Sequence, residues 1–370
     1  MKQLRPTLPR QATGAAAIAL SLVLVGCSAG TQDKASEKMP EDVEVVIPYS
    51  TGGGTDLWTR FMAPHLEDRL KGTSFSLRNA AGGEGIPAVN EFARDAKDDP
   101  STILAATATT VFQDFFDRPE VEFDFRELKP LVLNGSGAVV YTTKDSGITS
   151  VEDLVERSDD LAFGGSSANG LDLTLLLLFE LYGLKGVETV FGFESRGDIQ
   201  LAVQRGELNI DFQTTAAYQA QVAPLAEDGS VVPLMSMGAV DDKGELVRDP
   251  NFPDLPHPGE VYEQLRGEKP SGPGWEAFRT FQAAGFAYTK GLWAGPDVPD
   301  SITQQYYDAA TELQEDEAFQ KEAEEVLGGY PIYAGDEAED AIKEIFSIDE
   351  DAKAYVVDLL TEKYDVDLGQ

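Results

Sequence analysis

Residues 43–56 read VEVVIPYSTGGGTD, an apolar segment that runs directly into a glycine-rich turn. The β-branched residues before Pro48 predict a buried strand that ends at the turn. The three glycines permit close approach of the backbone, and Thr55 and Asp56 are residue types that favour the start of a helix. A strand, a glycine turn and a helix N-terminus bring unpaired N–H groups and a partial positive charge together, which predicts an anion site built from backbone. An ordinary strand–helix turn is the alternative.

Nucleotides and nucleic acids are disfavoured as ligands. The turn lacks both the GK[ST] ending of the phosphate loop and the GxGxxG spacing. The chain has 65 acidic residues against 29 Lys and Arg, a formal net charge of −36, whereas nucleic-acid binding needs a basic patch. The acidic residues are spread along the chain, and we interpret them as a solvated surface suited to a saline medium. The length of 370 residues fits one large domain or two.

The N-terminal residues have the pattern of an export signal. Lys2, Arg5 and Arg10 precede a short apolar run at residues 14–25, and Cys27, the only cysteine, follows it. The run is too short to span a bilayer comfortably, and small residues before a lone cysteine are typical of a bacterial lipoprotein cleavage site. We predict a signal peptide at residues 1–26, lipidation of Cys27, a tether at 27–42 and a body anchored outside the cell membrane. A plain signal peptide with a chance cysteine is the alternative.

From residue 43 onward, short apolar strands alternate with helical stretches, which predicts an α/β architecture with mostly parallel sheets. Turn residues follow four strands, at residues 50–56, 80–85, 166–169 and 195–198. Such loops at the carboxyl ends of strands are where open α/β sheets bind ligands. We predict a binding protein that closes about a hinge. We assign residues 43–141 and 290–370 to a first lobe and residues 142–289 to a second.

Catalysis has little support in the sequence. One histidine, His65, lies in a predicted helix and the other, His257, in a proline-rich loop. The sequence contains no GxSxG motif around Ser166, no Cys/His cluster for zinc and no nucleophile with an adjacent base. We therefore predict that the protein is not an enzyme and needs no metal or cofactor.

Six segments together resemble the extracytoplasmic solute-binding proteins of tripartite tricarboxylate transporters, the TctC or Bug type. They are IPYSTGGGTDLWTR (47–60), RNAAGGEGIPAVNEFA (78–93), GGSS (164–167), LAVQRGELNID (201–211), PDLPHPGEVYEQ (253–264) and LWAGPDVPDSI (292–302). The resemblance covers about residues 43–346 and implies a type II periplasmic-binding-protein-like fold, with two α/β lobes joined by hinge strands around a cleft. Residues 267–284 depart from the family pattern and are interpreted as an insertion.

The resemblance also implies a function. A small carboxylate, either a di- or tricarboxylate or an aromatic acid, would be captured by a monomeric receptor and delivered to the membrane subunits of a tripartite tricarboxylate transporter. A ligand-binding partner of a membrane sensor is the alternative, because both roles need the same closing cleft.

The family pattern further implies where the ligand is held. Residues 49–56 and the Gly82–Gly83 turn would bind one carboxylate through backbone N–H groups and water. The second-lobe loop would close over the other end, and the chain after residue 210 would form the far wall. The candidate ligand-binding residues are Tyr49, Thr51, Gly53, Gly54, Thr55, Asp56, Gly82, Gly83, Thr109, Ser166, Ser167, Asn169, Arg196, Asp211 and Thr214.

Several of these residues have a structural alternative. Tyr49 suits packing as well as ligand contact, and Asp211 is alternatively a solvated carboxylate at a strand end. The forked guanidinium of Arg196 suits a distal carboxylate, although a surface position is the alternative. Arg60, four residues after Asp56 on the predicted helix, is expected to pair with it.

Overall fold

The computed structural model describes residues 37–240 and 245–368. The predicted signal peptide, the predicted lipidation site Cys27 and most of the predicted tether lie outside these residues. Among the residues that are described, no helix combines the length and the apolar character needed to cross a membrane.

Short strands and helices alternate along the described chain, as predicted. The prediction of mostly parallel sheets is wrong, because four of the described strand pairs are parallel and six are antiparallel. The strands are β1 (Asp42–Ile47), β2 (Ser74–Asn79), β3 (Thr102–Thr107), β4 (Lys129–Asn134), β5 (Ala138–Thr143), β6 (Ala162–Gly165), β7 (Glu188–Phe191), β8 (Ile210–Thr214), β9 (Val231–Ser236), β10 (Ala239–Val240), β11 (Leu246–Val247), β12 (Lys290–Ala294) and β13 (Ile332–Tyr333). The α-helices are α1 (Gly54–Arg69), α2 (Ile86–Asp95), α3 (Ala108–Phe115), α4 (Val151–Glu156), α5 (Leu173–Tyr182), α6 (Arg196–Gln204), α7 (Thr215–Ala217), α8 (Ala223–Glu227), α9 (Pro258–Arg266), α10 (Pro273–Phe286), α11 (Asp300–Glu315), α12 (Glu317–Leu327), α13 (Asp336–Phe346) and α14 (Glu350–Lys363).

The first lobe is built on a six-stranded sheet with the order β13-β4-β12-β3-β1-β2. Strand β1 is parallel to β2 and β3, whereas β12 is antiparallel to β3 and β4. Both faces of β1 are covered: Val45 packs in one apolar cluster with Trp58 of α1, and Val46 in another with Phe92 of α2. Burial on both faces explains the continuous β-branched run.

The second lobe contains a five-stranded sheet with the order β7-β6-β8-β5-β9. Strand β6 is parallel to β7 and β8, and β5 is antiparallel to both β8 and β9. The predicted first-lobe boundary at residue 141 is therefore corrected, since β5 belongs to the second sheet. The chain crosses between the lobes just before it, at residues 135–137.

The return crossing runs beside the first. The Ser136 N–H donates to the Phe286 carbonyl over 2.9 Å, and the Gly135 N–H donates to the Pro331 carbonyl over 3.3 Å. A Cβ atom on Gly135 would lie 2.9 Å from the Ala287 carbonyl oxygen, so the close approach requires glycine. The return crossing is short, because α10 ends at Phe286 and β12 begins at Lys290. These two adjacent crossings form the hinge.

Residues 267–284, interpreted as an insertion, largely form a core helix. Helix α10 packs against α5 and α14, and the Phe281 ring stacks on Phe116 with 5.7 Å between centroids. The C-terminal helix α14 follows α10 onto the second lobe, where Tyr364 contacts Phe191 edge-on. The assignment of residues 290–370 to the first lobe is therefore corrected for α14.

Candidate ligand-binding cleft

The carboxyl ends of strands from both sheets meet at a cleft between the lobes, which encloses a cavity of about 50 Å³. That volume has room for a few water molecules or a carboxylate group. Residues of the first lobe that line it are Tyr49, Gly53, Gly54, Thr55, Thr107, Thr109, Thr289 and Lys290, and those of the second are Ser166, Leu171, Ser195, Arg196 and Thr214.

Helices α1, α3 and α6 begin at this cavity, and the three-residue α7 also follows a lining residue, Thr214. Thr107 caps α3 by accepting from the Thr109 N–H, and Ser195 caps α6 by accepting from the Asp198 N–H. Helix α1 is the longest of the three and has no side-chain cap, since Gly53 occupies its N-cap position. Its first N–H groups and the positive end of its dipole therefore face the cavity, as an anion site requires.

Asp56 stabilises the loop through hydrogen bonds and does not itself line the cavity. Its carboxylate accepts from the Gly52 N–H at 2.9 Å, from Arg60 Nε at 2.9 Å and from Asn79 Nδ2 at 3.0 Å. Burial acts to raise the pKa of Asp56, but these hydrogen bonds, first that of Arg60, hold the pKa below its ordinary value. The predicted pairing of Arg60 with Asp56 is confirmed.

The other first-lobe candidates have different surroundings. The Tyr49 hydroxyl is hydrogen-bonded to Thr107 Oγ1 at 3.0 Å and to Thr110, and burial raises its pKa, so the phenol stays neutral. Thr51 lies outside the lining and donates to Asn79 Oδ1 at 3.3 Å. Gly82 and Gly83 have positive φ angles of 120° and 55° on the way to α2, and they too lie outside the lining.

The serine-rich loop of the second lobe is bound to its own carboxylate. Asp172 Oδ2 accepts from the Ser166 N–H at 2.7 Å and from the Ser167 N–H at 3.4 Å. These amides are therefore engaged within the protein. Of the three candidates in the loop, only Ser166 lines the cavity.

Ser167 and Asn169 instead join the two lobes. Gln113 of α3 donates from Nε2 to Ser167 Oγ at 3.2 Å, and Asn169 Nδ2 donates to Gln113 Oε1 at 2.9 Å. At the other side of the cleft, Gln221 Nε2 donates to the Gly52 carbonyl at 2.7 Å. The structure is therefore a closed form, held by direct bonds across the cleft.

Arg196 lines the cavity, but its charge is matched by the protein. The guanidinium pairs with both Asp172 and Asp211, and its carbon lies 3.8 Å from the centroid of the Phe212 ring. Asp211 is fully buried and also accepts from the Tyr141 hydroxyl at 2.8 Å. The interpretation of Asp211 as a solvated carboxylate is wrong, and so is the surface position for Arg196.

Lys290 is the main residue of the cleft that sequence reasoning missed. Its side chain is 3% exposed and makes no hydrogen bond or ion pair with any described residue. The Nζ atom lies 3.8 Å from the point where a Cβ on Gly54 would stand, beside the first turn of α1. Desolvation lowers the pKa of Lys290 to about 7. The sequence does contain a signal for this residue, because Lys290 is the one charged residue of the segment FAYTKGLWA (286–294), whose other residues suit a buried strand.

Two larger cavities lie elsewhere on the protein. One, of about 620 Å³, borders α10 and residues 345–349, and the other, of about 610 Å³, borders α12 and residues 328–332. Neither is lined by a residue of the loops at 50–56, 164–172 or 195–198, so the cleft remains the candidate site. Within residues 37–240 and 245–368, no group of three or more His, Cys, Asp or Glu is placed to hold a metal ion.

Comparisons with known proteins agree with this geometry. No protein-family model matches the chain. A curated relative, Protein BugT of Bordetella pertussis, is 26% identical over 149 residues, which is 39% of this chain and 44% of BugT. The match thus spans less than half the length of that relative.

Solved structures cover far more of the chain. Similar folds are those of periplasmic binding protein BugD (TM-score 0.65, 17% identity, 88% of this chain and 98% of that chain), MatC from Rhodopseudomonas palustris with bound malate (0.63, 18%, 84% and 98%) and an R. palustris protein with adipate (0.66, 19%, 84% and 96%). The predicted two-lobed, periplasmic-binding-protein-like fold is confirmed. The predicted resemblance to Bug and TctC proteins is confirmed as well. None of these proteins is named as an enzyme, in agreement with the prediction of a binding protein.

Proposed function

We propose that this protein is an extracytoplasmic receptor that captures a small carboxylate between its lobes. The observation that carries the proposal is the uncapped N-terminus of α1 at Gly53–Gly54, which borders a cavity lined by both lobes. A helix N-terminus without a side-chain cap supplies N–H donors and partial positive charge to an anion. The relatives with malate and adipate bind carboxylates on the same fold.

Closure is the second part of the proposal. A ligand shifts an open–closed equilibrium only through contacts that it makes in one state and not in the other. A carboxylate on the α1 N-terminus whose other end meets Ser166 or Thr214 would make such contacts in the closed state alone. The bonds of Gln113 with Ser167 and of Gln221 with Gly52 would stabilise the closed state whether or not a ligand is bound.

Delivery and anchoring complete the proposal. We infer that the loaded receptor passes its ligand to the membrane subunits of a tripartite tricarboxylate-type transporter, and that lipidated Cys27 holds it at the membrane as a monomer. Carboxylate uptake is measured in cells that carry the permease, with and without the receptor. Uptake that requires the receptor supports delivery, whereas uptake that is unchanged without it supports a sensor partner.

Thermal unfolding of the mature protein against a panel of carboxylates tests the binding step. The panel contains mono-, di- and tricarboxylates and aromatic acids, at moderate and high salt. A ligand present at 100 times its Kd stabilises the protein by about 2.7 kcal/mol, a readily measured shift. Selective stabilisation by one acid class is the expected result, and no shift with any acid in folded protein would overturn the proposal.

A further inference from the structure

We infer that Lys290 forms the ion pair with the bound carboxylate, and that the cleft is selective for a small monocarboxylate over di- and tricarboxylates. This inference rests on the proposed function, which it makes specific in charge and size. Its basis is the unpaired, buried Lys290 ammonium beside the open end of α1.

The position of Lys290 suits one carboxylate shared with the helix. Its Nζ atom and the first residue of α1, Gly54, approach each other at the same side of the cavity. An anion there would accept from the α1 N–H groups and from the lysine together. Charge-assisted hydrogen bonds of this kind are about twice as strong as neutral ones.

Lys290 gains little from its position within the protein alone. Lysine is almost never fully buried unless it is paired, and its charged form is disfavoured by desolvation. The side chain lies at the start of β12, a central strand of the first sheet, and no carboxylate of residues 37–240 or 245–368 is bonded to it. An anionic ligand would supply the missing partner.

Among the described residues, the second-lobe wall of the cavity contains no cation without a carboxylate partner. Arg196 is the one other charged side chain among the described residues that line the cavity, and Asp172 and Asp211 already neutralise it. A second ligand carboxylate would have to displace a buried protein carboxylate or remain unpaired, and both are costly.

The remaining lining is suited to an uncharged ligand end. Hydroxyl groups of Ser166, Ser195 and Thr214 are contributed by the second lobe, together with the apolar Leu171. Hydroxyls can donate to or accept from a neutral polar group. The cavity of about 50 Å³ also favours a short acid.

Titration calorimetry on the full mature protein tests both halves of the inference. Monocarboxylates (lactate, 4-hydroxybutanoate) are compared with dicarboxylates (malate, succinate) and citrate at pH 6.5 and constant ionic strength. We expect a monocarboxylate to bind at least tenfold more tightly than the dicarboxylate of equal length. Preference for a di- or tricarboxylate would overturn the selectivity.

The role of Lys290 is tested by Lys290→Met, with Lys129→Met as the matched control. Lys129 lies on the neighbouring strand β4, opposite Ala294 at the far end of β12, and pairs with Asp300. Loss of a buried, bonded charge partner weakens binding by roughly 100-fold, whereas the control should bind as the wild type does.

The outcomes distinguish the inference from the proposed function. Acid binding by the wild type that Lys290→Met leaves unchanged would overturn the inference alone. No acid binding by the wild type would overturn the proposed function and, with it, the inference. Melting curves identify a misfolded variant, and Lys290→Gln, which keeps a polar side chain without the charge, then takes its place.

Discussion

Two loops face each other across the cleft, and similar sequences give them opposite properties. Both run from a strand through glycine and serine or threonine into a helix, at residues 50–56 and 164–172. In the second lobe, Asp172 precedes α5 and takes the N–H groups of Ser166 and Ser167. In the first lobe, Asp56 is the third residue of α1 and reaches back to Gly52, which leaves the helix end open. The position of one carboxylate decides which loop can bind an anion.

The two cations of the cleft show the same contrast. Arg196 in the second lobe has two carboxylate partners, whereas Lys290 in the first lobe has no partner among the described residues. The first lobe therefore holds the cation without a carboxylate partner, whereas the cation of the second lobe is matched by two carboxylates.

Removal of each cation should change stability in opposite directions. Arg196→Met would leave Asp172 and Asp211 buried without a countercharge and lower the free energy of unfolding by about 3–5 kcal/mol. Lys290→Met should raise it in the ligand-free protein, on the order of 3 kcal/mol at pH 7.5. The reason is that burial lowers the pKa of Lys290 to about 7, so the folded state gives up a proton that the unfolded chain keeps. Urea unfolding measures both, and a change of the same sign in the two variants would contradict the contrast.

Gly54→Ala should prevent closure. A Cβ atom at Gly54 would overlap Thr214 Oγ1 of the other lobe, whereas one at Gly53 has nothing nearer than 3.6 Å. We expect ligand affinity to fall about tenfold or more in Gly54→Ala, as overpacking costs about 1–3 kcal/mol, and to be nearly unchanged in Gly53→Ala. Calorimetry gives the affinities, and small-angle scattering should show a more open Gly54→Ala protein. Equal affinities in the two variants would refute tight closure at this point.

Affinity should depend on pH through Lys290. Its pKa is about 7 in the empty cleft, and a bound carboxylate raises it, so the ligand binds together with a proton when the pH exceeds 7. Affinity should be constant from pH 5.5 to 6.5 and then fall, by up to tenfold per pH unit. Of the other titratable residues of the lining, Tyr49 stays neutral because burial raises its pKa. Burial lowers the pKa of Arg196, but the adjacent Asp172 carboxylate opposes this shift, and a guanidinium stays charged in this pH range.

Calorimetry from pH 5.5 to 9 measures this dependence. The Lys290→Met variant should lack it, and a wild-type affinity that is flat across the range would contradict it.

Ser167→Ala should have the smallest effect. The change removes one hydrogen bond between Ser167 and Gln113 across the cleft, with a net value of about 0.5–1.5 kcal/mol. Ligand affinity should therefore weaken two- to tenfold without loss of folding. Thr280→Ala, which removes an exposed hydroxyl from α10 that is bonded only to Glu276, serves as control, and equal affinities in the two variants would exclude the bond from closure.

Sequence reasoning reached the parts of the site that are local in the chain. The apolar strand, the glycine turn and the helix start of residues 43–56 each follow from residue type, and the pairing of Arg60 with Asp56 follows from helical spacing. The two-lobed fold follows from the alternation of elements together with the family resemblance.

The remainder depended on contacts between distant residues. The pairing of Arg196 with Asp172 and Asp211 joins three elements, and no local pattern gives it. The lobe to which β5 belongs is set by its pairing with β8 and β9, which are more than 65 residues away in the chain. Phe278, Phe281 and Phe286 lie on the buried face of α10. Their spacing was a signal of a core helix, but the segment departs from the family pattern and was therefore interpreted as an insertion.

The paired crossings at residues 135–137 and 286–289 restrict how the lobes can move. A single connection would allow one lobe to rotate relative to the other about any axis. Two connections bonded to each other through Ser136 and Phe286, together with the third passage of the chain from β13 to α14, resist such free rotation and favour rotation about the line that joins the paired crossings. The two loops then separate and meet along a fixed arc, so a captured solute leaves by the path through which it entered.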